Sequence, residues 1–208
     1  MHLVDGIVST PLVVSSAIIA AGAVAIGLKR VDPDDVPKIA LLSAAFFVAS
    51  VIRVPIGPGA AHLMLTGLLG LILGPMIFPA VLAGLLLQTL MFGFGGISVL
   101  GLNLLNIALP GFLAFLMFSP LLHRCPSSQV IIWGAIAGGF AVIGSSLMVA
   151  GSLAFSGQGF WTAAKLIVLA NLPVAVVEGL VVGVALSFLF KLKPGLFPQP
   201  KLTAKQAA

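Results

Sequence analysis

Residues 62–92 read HLMLTGLLGLILGPMIFPAVLAGLLLQTLMF, an apolar stretch that contains no Asp, Glu, Lys or Arg. About 20 apolar residues are enough to cross the hydrocarbon core of a bilayer, so this stretch is too long for one span. The Gly74-Pro75 pair in its middle is typical of a turn. We therefore predict two rather short helices here, joined at Gly74-Pro75.

Similar apolar stretches fill almost the whole chain, which is 60% hydrophobic and only 7% charged. Soluble domains are about one quarter charged, so we predict that a bilayer surrounds this chain and that no soluble domain is present. The other predicted spans are 9–28, 39–52, 99–118, 130–154 and 165–190. We predict an all-α integral membrane protein of about seven helices that forms one domain over residues 1–208.

The basic residues test this count, because Lys and Arg collect on the cytoplasmic side of short loops. With seven spans and an external N-terminus, only Arg53 and Lys165 of the 10 basic residues lie outside. Treating 62–92 as a single span gives a more even division. The predicted topology is therefore N-out and C-in, with residues 1–8 external and residues 191–208 as a cytoplasmic tail.

Several functions are disfavoured by composition. The net charge of +5 comes from basic residues scattered between spans, which a membrane topology explains better than nucleic-acid binding. Cys125 is the only cysteine, so an intramolecular disulfide is impossible. No Lys or Arg precedes the first span, as the basic region of a cleavable signal peptide would require. We expect the mature protein to begin at Met1.

The N-terminal residues 1–8, MHLVDGIV, carry a histidine at the second position. A free Met1 amine, the His2 backbone nitrogen and the His2 imidazole can chelate one ion in two fused rings. This geometry suits square-planar nickel(II) or copper(II), and low-spin cobalt(II) as well, whereas magnesium and calcium prefer oxygen ligands. Initiator methionine is normally retained before a residue as large as histidine.

A fourth ligand is needed, and His62 lies at the predicted external end of the third span. A single histidine at a membrane interface is more commonly a hydrogen-bonded structural residue. Here, however, two of the three histidines share the external face, so ligation and a structural role both stay open. His123, beside Arg124, is predicted to be a solvated interface residue.

Three stretches, in order along the chain, carry a resemblance to a known family. They are MHLVDG at 1–6, PIGPGAAHLMLTG at 55–67 and GGISVLGLNLLN at 95–106. They resemble the CbiM/NikM family, the cobalt- and nickel-specific substrate-binding (S) components of energy-coupling factor (ECF) transporters, over nearly the whole chain. The resemblance implies a six-helix module with an additional N-terminal helix that brings the N-terminus into the protein. It also implies metal ligation by Met1, His2 and His62.

Further residues are candidates for supporting the metal site. Asn103 matches a family asparagine and is expected to hydrogen-bond a ligand imidazole, or else to clamp two helices. Thr66 is expected one turn past His62 on the same helix face, orienting it or bonding back to its own helix. Glu178 lies deep in the last span, where a carboxylate needs a partner or a proton, and we assign it a supporting or packing role. Asp5 is expected to help fold the N-terminal loop over the site.

The source of energy must lie in partner proteins. The chain has no GxxxxGK[ST] phosphate loop and no series of intramembrane carboxylates, so we predict a transporter subunit and not an enzyme. The resemblance implies a transmembrane coupling (T) subunit, two cytoplasmic ATPase subunits and a small accessory membrane protein. The second span carries small residues that either dock the T subunit or pack within the protein: Ala40, Ala44, Ala45 and Ala49.

The predicted function is high-affinity uptake of a divalent transition metal across the bacterial cytoplasmic (inner) membrane. Cobalt(II) for cobalamin biosynthesis is favoured by the GLN segment and the absence of a fused module, and nickel(II) is the alternative; no cofactor is predicted. A vitamin-specific S component that does not use the N-terminus is a second alternative, although the chain has no Tyr and only two Trp to stack on a ligand. An intramembrane hydrolase lacks a nucleophile with a base, and a passive channel conflicts with a tight chelate.

Overall fold

The computed structural model describes residues 3–51, 53–56 and 59–192, so the predicted tail from residue 193 onward lies outside the described residues. The described residues form seven α-helices and a two-stranded hairpin. In chain order these are α1 (Thr10–Leu28), α2 (Val36–Val51), β1 (Arg53–Ile56), β2 (Gly59–His62), α3 (Thr66–Leu73), α4 (Ile77–Phe92), α5 (Leu100–Leu122), α6 (Val130–Ser156) and α7 (Trp161–Leu192).

Most of the helices are built for a bilayer. Five stretches are long and apolar enough to cross a membrane, namely Thr10–Leu28, Thr66–Phe92, Leu100–Leu122, Val130–Ser156 and Trp161–Leu192. Large apolar side chains point outward, and Ile18, for example, is 70% exposed, while Asn and Ser side chains lie inside. This distribution fits a surface covered by lipid. The chain is a multi-pass, predominantly helical membrane protein, as the composition predicted.

The stretch at 66–92 is divided where the sequence predicted. Gly74 has φ +54°, a backbone conformation that residues other than glycine rarely adopt. It begins a short 3₁₀ turn that separates α3 from α4. The Thr66 carbonyl lies against Gly111, and Gly74 lies against Phe115. Residues later in α3 therefore lie beside residues later in α5, so the two helices run in the same direction.

Helix α1 runs in this direction too. Gly101, near the start of α5, lies against Ala17, and Gly27, near the end of α1, lies against Pro75 at the end of α3. The start of α3 lies beside Gly111, about halfway along α5, whereas the starts of α1 and α5 lie towards one end of the molecule. We call this the entry end.

Helix α4 runs the opposite way, alongside α2. The Ser43 hydroxyl donates to the Ala80 carbonyl at 2.9 Å, and the Gln88 side chain donates to the Ser50 hydroxyl further along both helices. Helices α2 and α4 are therefore parallel to each other. Since only a short loop separates α1 from α2, both α2 and α4 run towards the entry end.

Burial places α3 in the centre of the bundle. All eight of its residues are buried, whereas α1 buries only Ser16, Ala20 and Gly27. Side chains of α3, α4 and α5 supply most of the main apolar core. The least exposed helix is thus the one that follows His62 in the chain.

The hairpin corrects one expectation, that the third span begins at His62. Residues 53–56 pair with residues 59–62 in an antiparallel ladder, with Arg53 opposite His62. His62 is the last residue of β2, and α3 begins only at Thr66. The prediction that Thr66 lies one turn past His62 on the same helix face is therefore wrong.

Candidate metal site

The N-terminal segment, residues 3–9, is held at the entry end by Asn103 of α5. The Leu3 N–H donates to the Asn103 Oδ1 at 2.9 Å, and the Asn103 Nδ2 donates to the Leu3 carbonyl at 3.0 Å. Both residues are buried, at 4% and 2% exposure. The side-chain amide thus satisfies both backbone groups of Leu3, as a neighbouring strand would, and fixes the chain at this residue. The sequence predicted either a ligand imidazole or a second helix as the partner of Asn103, but among the described residues its partner is the Leu3 backbone.

The Leu3 side chain is anchored as well as its backbone. It packs in a small apolar cluster with Leu102 of α5, Val149 and Leu153 of α6, and Ala164 of α7. Residues of three helices therefore surround the Leu3 side chain. Leu3 is thus anchored inside the helix bundle.

Asp5 provides a second attachment at the start of α5. Its carboxylate accepts hydrogen bonds from the Ser98 hydroxyl and, at 3.3 Å, from the Val99 N–H. Helix α5 has no side-chain cap of its own, and a carboxylate at a helix N-terminus interacts favourably with the helix dipole. A Cβ on Gly96 would collide with this carboxylate, so glycine at this position leaves room for Asp5 where it lies. Ser98 was not a sequence candidate, although a small hydroxyl side chain just before a helix is a typical capping signal.

His62 lies at the end of β2 and is only 5% exposed. Its Nδ1 is 3.2 Å from the Leu63 carbonyl oxygen. A carbonyl can only accept, so Nδ1 carries the proton and the imidazole lone pair is on Nε2. A neutral histidine held in this tautomer is a suitable metal ligand through Nε2.

Glu178 of α7 reaches the segment that follows His62. Its side chain is fully buried, and its Oε2 accepts a hydrogen bond from the Met64 N–H at 2.7 Å. The carboxylate that the sequence placed deep in the last span therefore has a backbone partner. Thr66 is also fully buried, but its hydroxyl has no hydrogen-bond partner among the described residues.

The described residues do not form a complete metal site by themselves. Among residues 3–51, 53–56 and 59–192, no three His, Cys, Asp or Glu side chains are grouped so that they could hold an ion. Two of the predicted ligands, Met1 and His2, lie outside the described residues. The part of the site that is described consists of His62 and the attachments of Leu3 and Asp5.

Comparison with known proteins connects this arrangement to metal transport. The family model "CbiM: Cobalt uptake substrate-specific transmembrane region" matches residues 2–196. A putative metal transport protein of Haemophilus influenzae is 36% identical over 196 residues, which cover 93% of this chain and 95% of that protein. A crystal structure of a truncated transition metal transporter superposes with a TM-score of 0.77 at 25% identity, covering 92% of this chain and 99% of that one.

A relative that is part of a larger protein is also informative. The fused nickel transport protein NikMN of Rhodobacter capsulatus is 35% identical over 120 residues, which are 53% of this chain and 34% of that protein. The family match covers nearly the whole chain, and the resemblance found in the sequence is confirmed. The chain therefore belongs to the CbiM family and is a membrane component of cobalt or nickel uptake, not an enzyme.

Proposed function

We propose that this chain captures one cobalt(II) or nickel(II) ion with four nitrogens at the entry end. These are the Met1 amine, the His2 backbone nitrogen, the His2 imidazole and the His62 Nε2. The observation that carries the proposal is the double hydrogen bond between Leu3 and Asn103, because it fixes the chain inside the bundle two residues after its free amine. Four nitrogens suit a square-planar ion.

The described parts of the proposed site both lie towards the entry end. The segment from Leu3 onward precedes α1 and is bonded to the start of α5. His62 pairs with Arg53, which closely follows the end of α2, and α2 runs towards the entry end. His62 is also buried, and the contact of its Nδ1 with the Leu63 carbonyl favours the tautomer whose lone pair is on Nε2.

We further propose that the chain crosses the membrane seven times, with the N-terminus outside and the C-terminus in the cytoplasm of a bacterial inner membrane. Helix α3 has only eight residues, so it makes its crossing together with the segment that precedes it. The turn at Gly74 and the parallel course of α2 and α4 support this alternation. The same topology leaves few basic residues outside. Residues 1–208 then form one metal-binding domain with an external N-terminus.

The energy for uptake is proposed to come from an ECF complex with a T subunit, two ATPase subunits and a small accessory membrane protein. The fused organisation of NikMN supports an association with further transport components. On α2, Ala40 and Ala44 are exposed, as are the neighbouring Leu41 and Val48, so this face is accessible to the T subunit. The other two alanines of the predicted docking surface, Ala45 and Ala49, are partly buried and contribute to internal packing as well.

Cobalt(II), supplied for cobalamin biosynthesis, is the proposed cargo, and nickel(II) is the second candidate. The matching family model is named for cobalt, whereas the NikMN relative is named for nickel. Both ions accept four nitrogen ligands, and the general affinity order favours nickel slightly. Selectivity therefore has to be measured directly.

The test is metal content and affinity of the purified protein with its native N-terminus, for cobalt, nickel and copper. We expect one tightly bound ion per chain, with His2→Ala reducing the affinity by more than about 100-fold, since even outer partners of ligands are worth about 10–100-fold. The identity of the best ion decides between the two cargoes. Absence of binding, or unchanged binding by His2→Ala, would contradict the proposal and make a vitamin the leading ligand.

Asn103→Leu is expected to lower metal affinity without unfolding the protein. The change leaves the buried N–H and carbonyl of Leu3 without partners, at about 1–3 kcal/mol for each group. Detachment of the segment avoids this penalty, so we expect a loss of about 10–100-fold in affinity, measured by titration. The matched control is Asn171→Leu, because Asn171 is equally buried but bonds only to the Ile167 carbonyl of its own helix. Equal losses in both variants would remove Asn103 from the site.

A further inference from the structure

The start of α3 lacks the cap that a helix normally has. The preceding residue, Leu65, is the one non-glycine residue with positive φ (53°) among the described residues, and no side chain of the segment caps the helix. The first N–H groups of a helix have no partner within it, and here water cannot supply one because every residue of α3 is buried. A partner from elsewhere in the fold is therefore required.

The Glu178 carboxylate of α7 lies at this helix start. Its Oε2 accepts from the Met64 N–H, two residues before α3, at 2.7 Å, and the backbone amides of Leu65 and Thr66 lie near the same carboxylate. Helix α7 also packs against both α3 and β2. A carboxylate next to a helix N-terminus interacts favourably with the helix dipole, and more strongly when it is buried.

Glu178 is unusual in being an ionisable side chain at this depth. It is the one Asp, Glu, Lys or Arg among the buried residues that the structure describes. Simple packing does not require a carboxylate there, because an apolar side chain of similar size fills space without losing hydration. Only three residues, Leu63 to Leu65, link the end of β2 at His62 to the start of α3 at Thr66. Because this link is so short, a bond that holds the Met64 amide also restricts the backbone orientation of His62.

We propose that Glu178 is a positioning residue that caps α3 from α7 and thereby aims the His62 imidazole at the ion. The inference rests on the proposed function in naming the ion. Its structural part, that Glu178 orders the turn after His62, stands without it. The carboxylate is not a metal ligand in this account, since the four proposed ligands are nitrogens and its Oε2 is bonded to the Met64 N–H.

The structural part is tested on metal-free protein. Glu178→Ala is expected to speed hydrogen exchange of the Met64, Leu65 and Thr66 amides and to raise the rate at which diethyl pyrocarbonate acylates His62. His123 is the internal reference and should react at an unchanged rate. Unchanged exchange and unchanged His62 acylation would overturn the proposal, and this result does not depend on whether the protein binds metal.

The functional part is tested by a double-mutant comparison with His62→Ala. If Glu178 acts through His62, Glu178→Ala lowers metal affinity by no more than His62→Ala does, and the double variant is no worse than His62→Ala alone. The visible absorption of bound nickel should also shift to that of the His62→Ala protein. Losses that multiply in the double variant would mean that Glu178 acts elsewhere.

Two further variants keep the test decisive. Glu178→Gln retains an oxygen that can accept from Met64, so it folds where Glu178→Ala fails to, and we expect it to recover most of the affinity, within about 10-fold of the native protein. Gln88→Ala removes another fully buried polar side chain, on α4, and should leave the His62 acylation rate unchanged. A Gln variant as impaired as the Ala variant, with unaltered exchange, would contradict capping.

Discussion

A chain extended by Gly-Ser before Met1 is expected to lose metal binding, with an affinity more than about 1000-fold lower. The extension turns the Met1 amine into an amide and moves the free amine by two residues, up to about 7 Å. Metal–ligand distances tolerate only about 0.2 Å. Because Asn103 fixes the chain at Leu3, the displaced amine cannot be compensated by sliding the segment outward. Isothermal titration with cobalt and nickel measures the loss.

Two residues are needed in this extension. With a single added residue the histidine becomes third in the chain, where an amine, two amides and an imidazole form a complete four-nitrogen chelate of their own. The matched control carries the same Gly-Ser after Ala208 and should bind as the native chain does. Binding by the N-terminally extended protein at native affinity would contradict the chelate and favour a ligand that does not use the N-terminus.

His62→Ala is expected to reduce affinity by more than about 100-fold, because the loss of a direct ligand exceeds the 10–100-fold effect typical of its outer partners. Three nitrogens of the N-terminus remain, so binding should weaken without disappearing, and the absorption of bound nickel should change as one nitrogen is replaced. His62 is buried, yet its removal leaves the α3 core intact. The measurement is a titration monitored by visible absorption.

His123→Ala is the matched control for this variant. His123 directly follows α5, at the end of that helix far from the entry end, and should leave affinity and absorption unchanged. Equal effects of the two substitutions would indicate a general loss of stability. No effect of His62→Ala would assign the fourth position to another group.

Much of the fold follows from apolar runs and their interruptions. Gly74-Pro75 predicted the break between α3 and α4, since it combines a glycine suited to positive φ with a proline that cannot continue a helix. Predicted and observed helix bounds agree closely for the first span, at 9–28 against Thr10–Leu28. The hairpin at 53–62 was missed because its pairing joins short segments with no alternating pattern.

Less of the candidate site could be predicted from the sequence. His62 and Asn103 were identified as candidate residues, but the hydrogen-bond partner of Asn103 is Leu3, 100 residues away, and no local sequence pattern indicates this pairing. Glu178 was identified because a carboxylate is costly within a membrane. Its partner could not be predicted, because the Met64 N–H is a backbone group that every residue except proline carries.

The bond between Glu178 and Met64 also bears on how the protein is made. The two residues are 114 positions apart, and Glu178 belongs to the last helix. At a synthesis rate of about 5–20 residues per second, the ribosome reaches Glu178 roughly 6–23 s after Met64. The turn after His62 therefore remains uncapped on the nascent chain, although the N-terminus was synthesised first. A chain released before α7 is complete would retain every proposed ligand and lack the Glu178 bond, so on this proposal we expect only finished molecules to capture the ion.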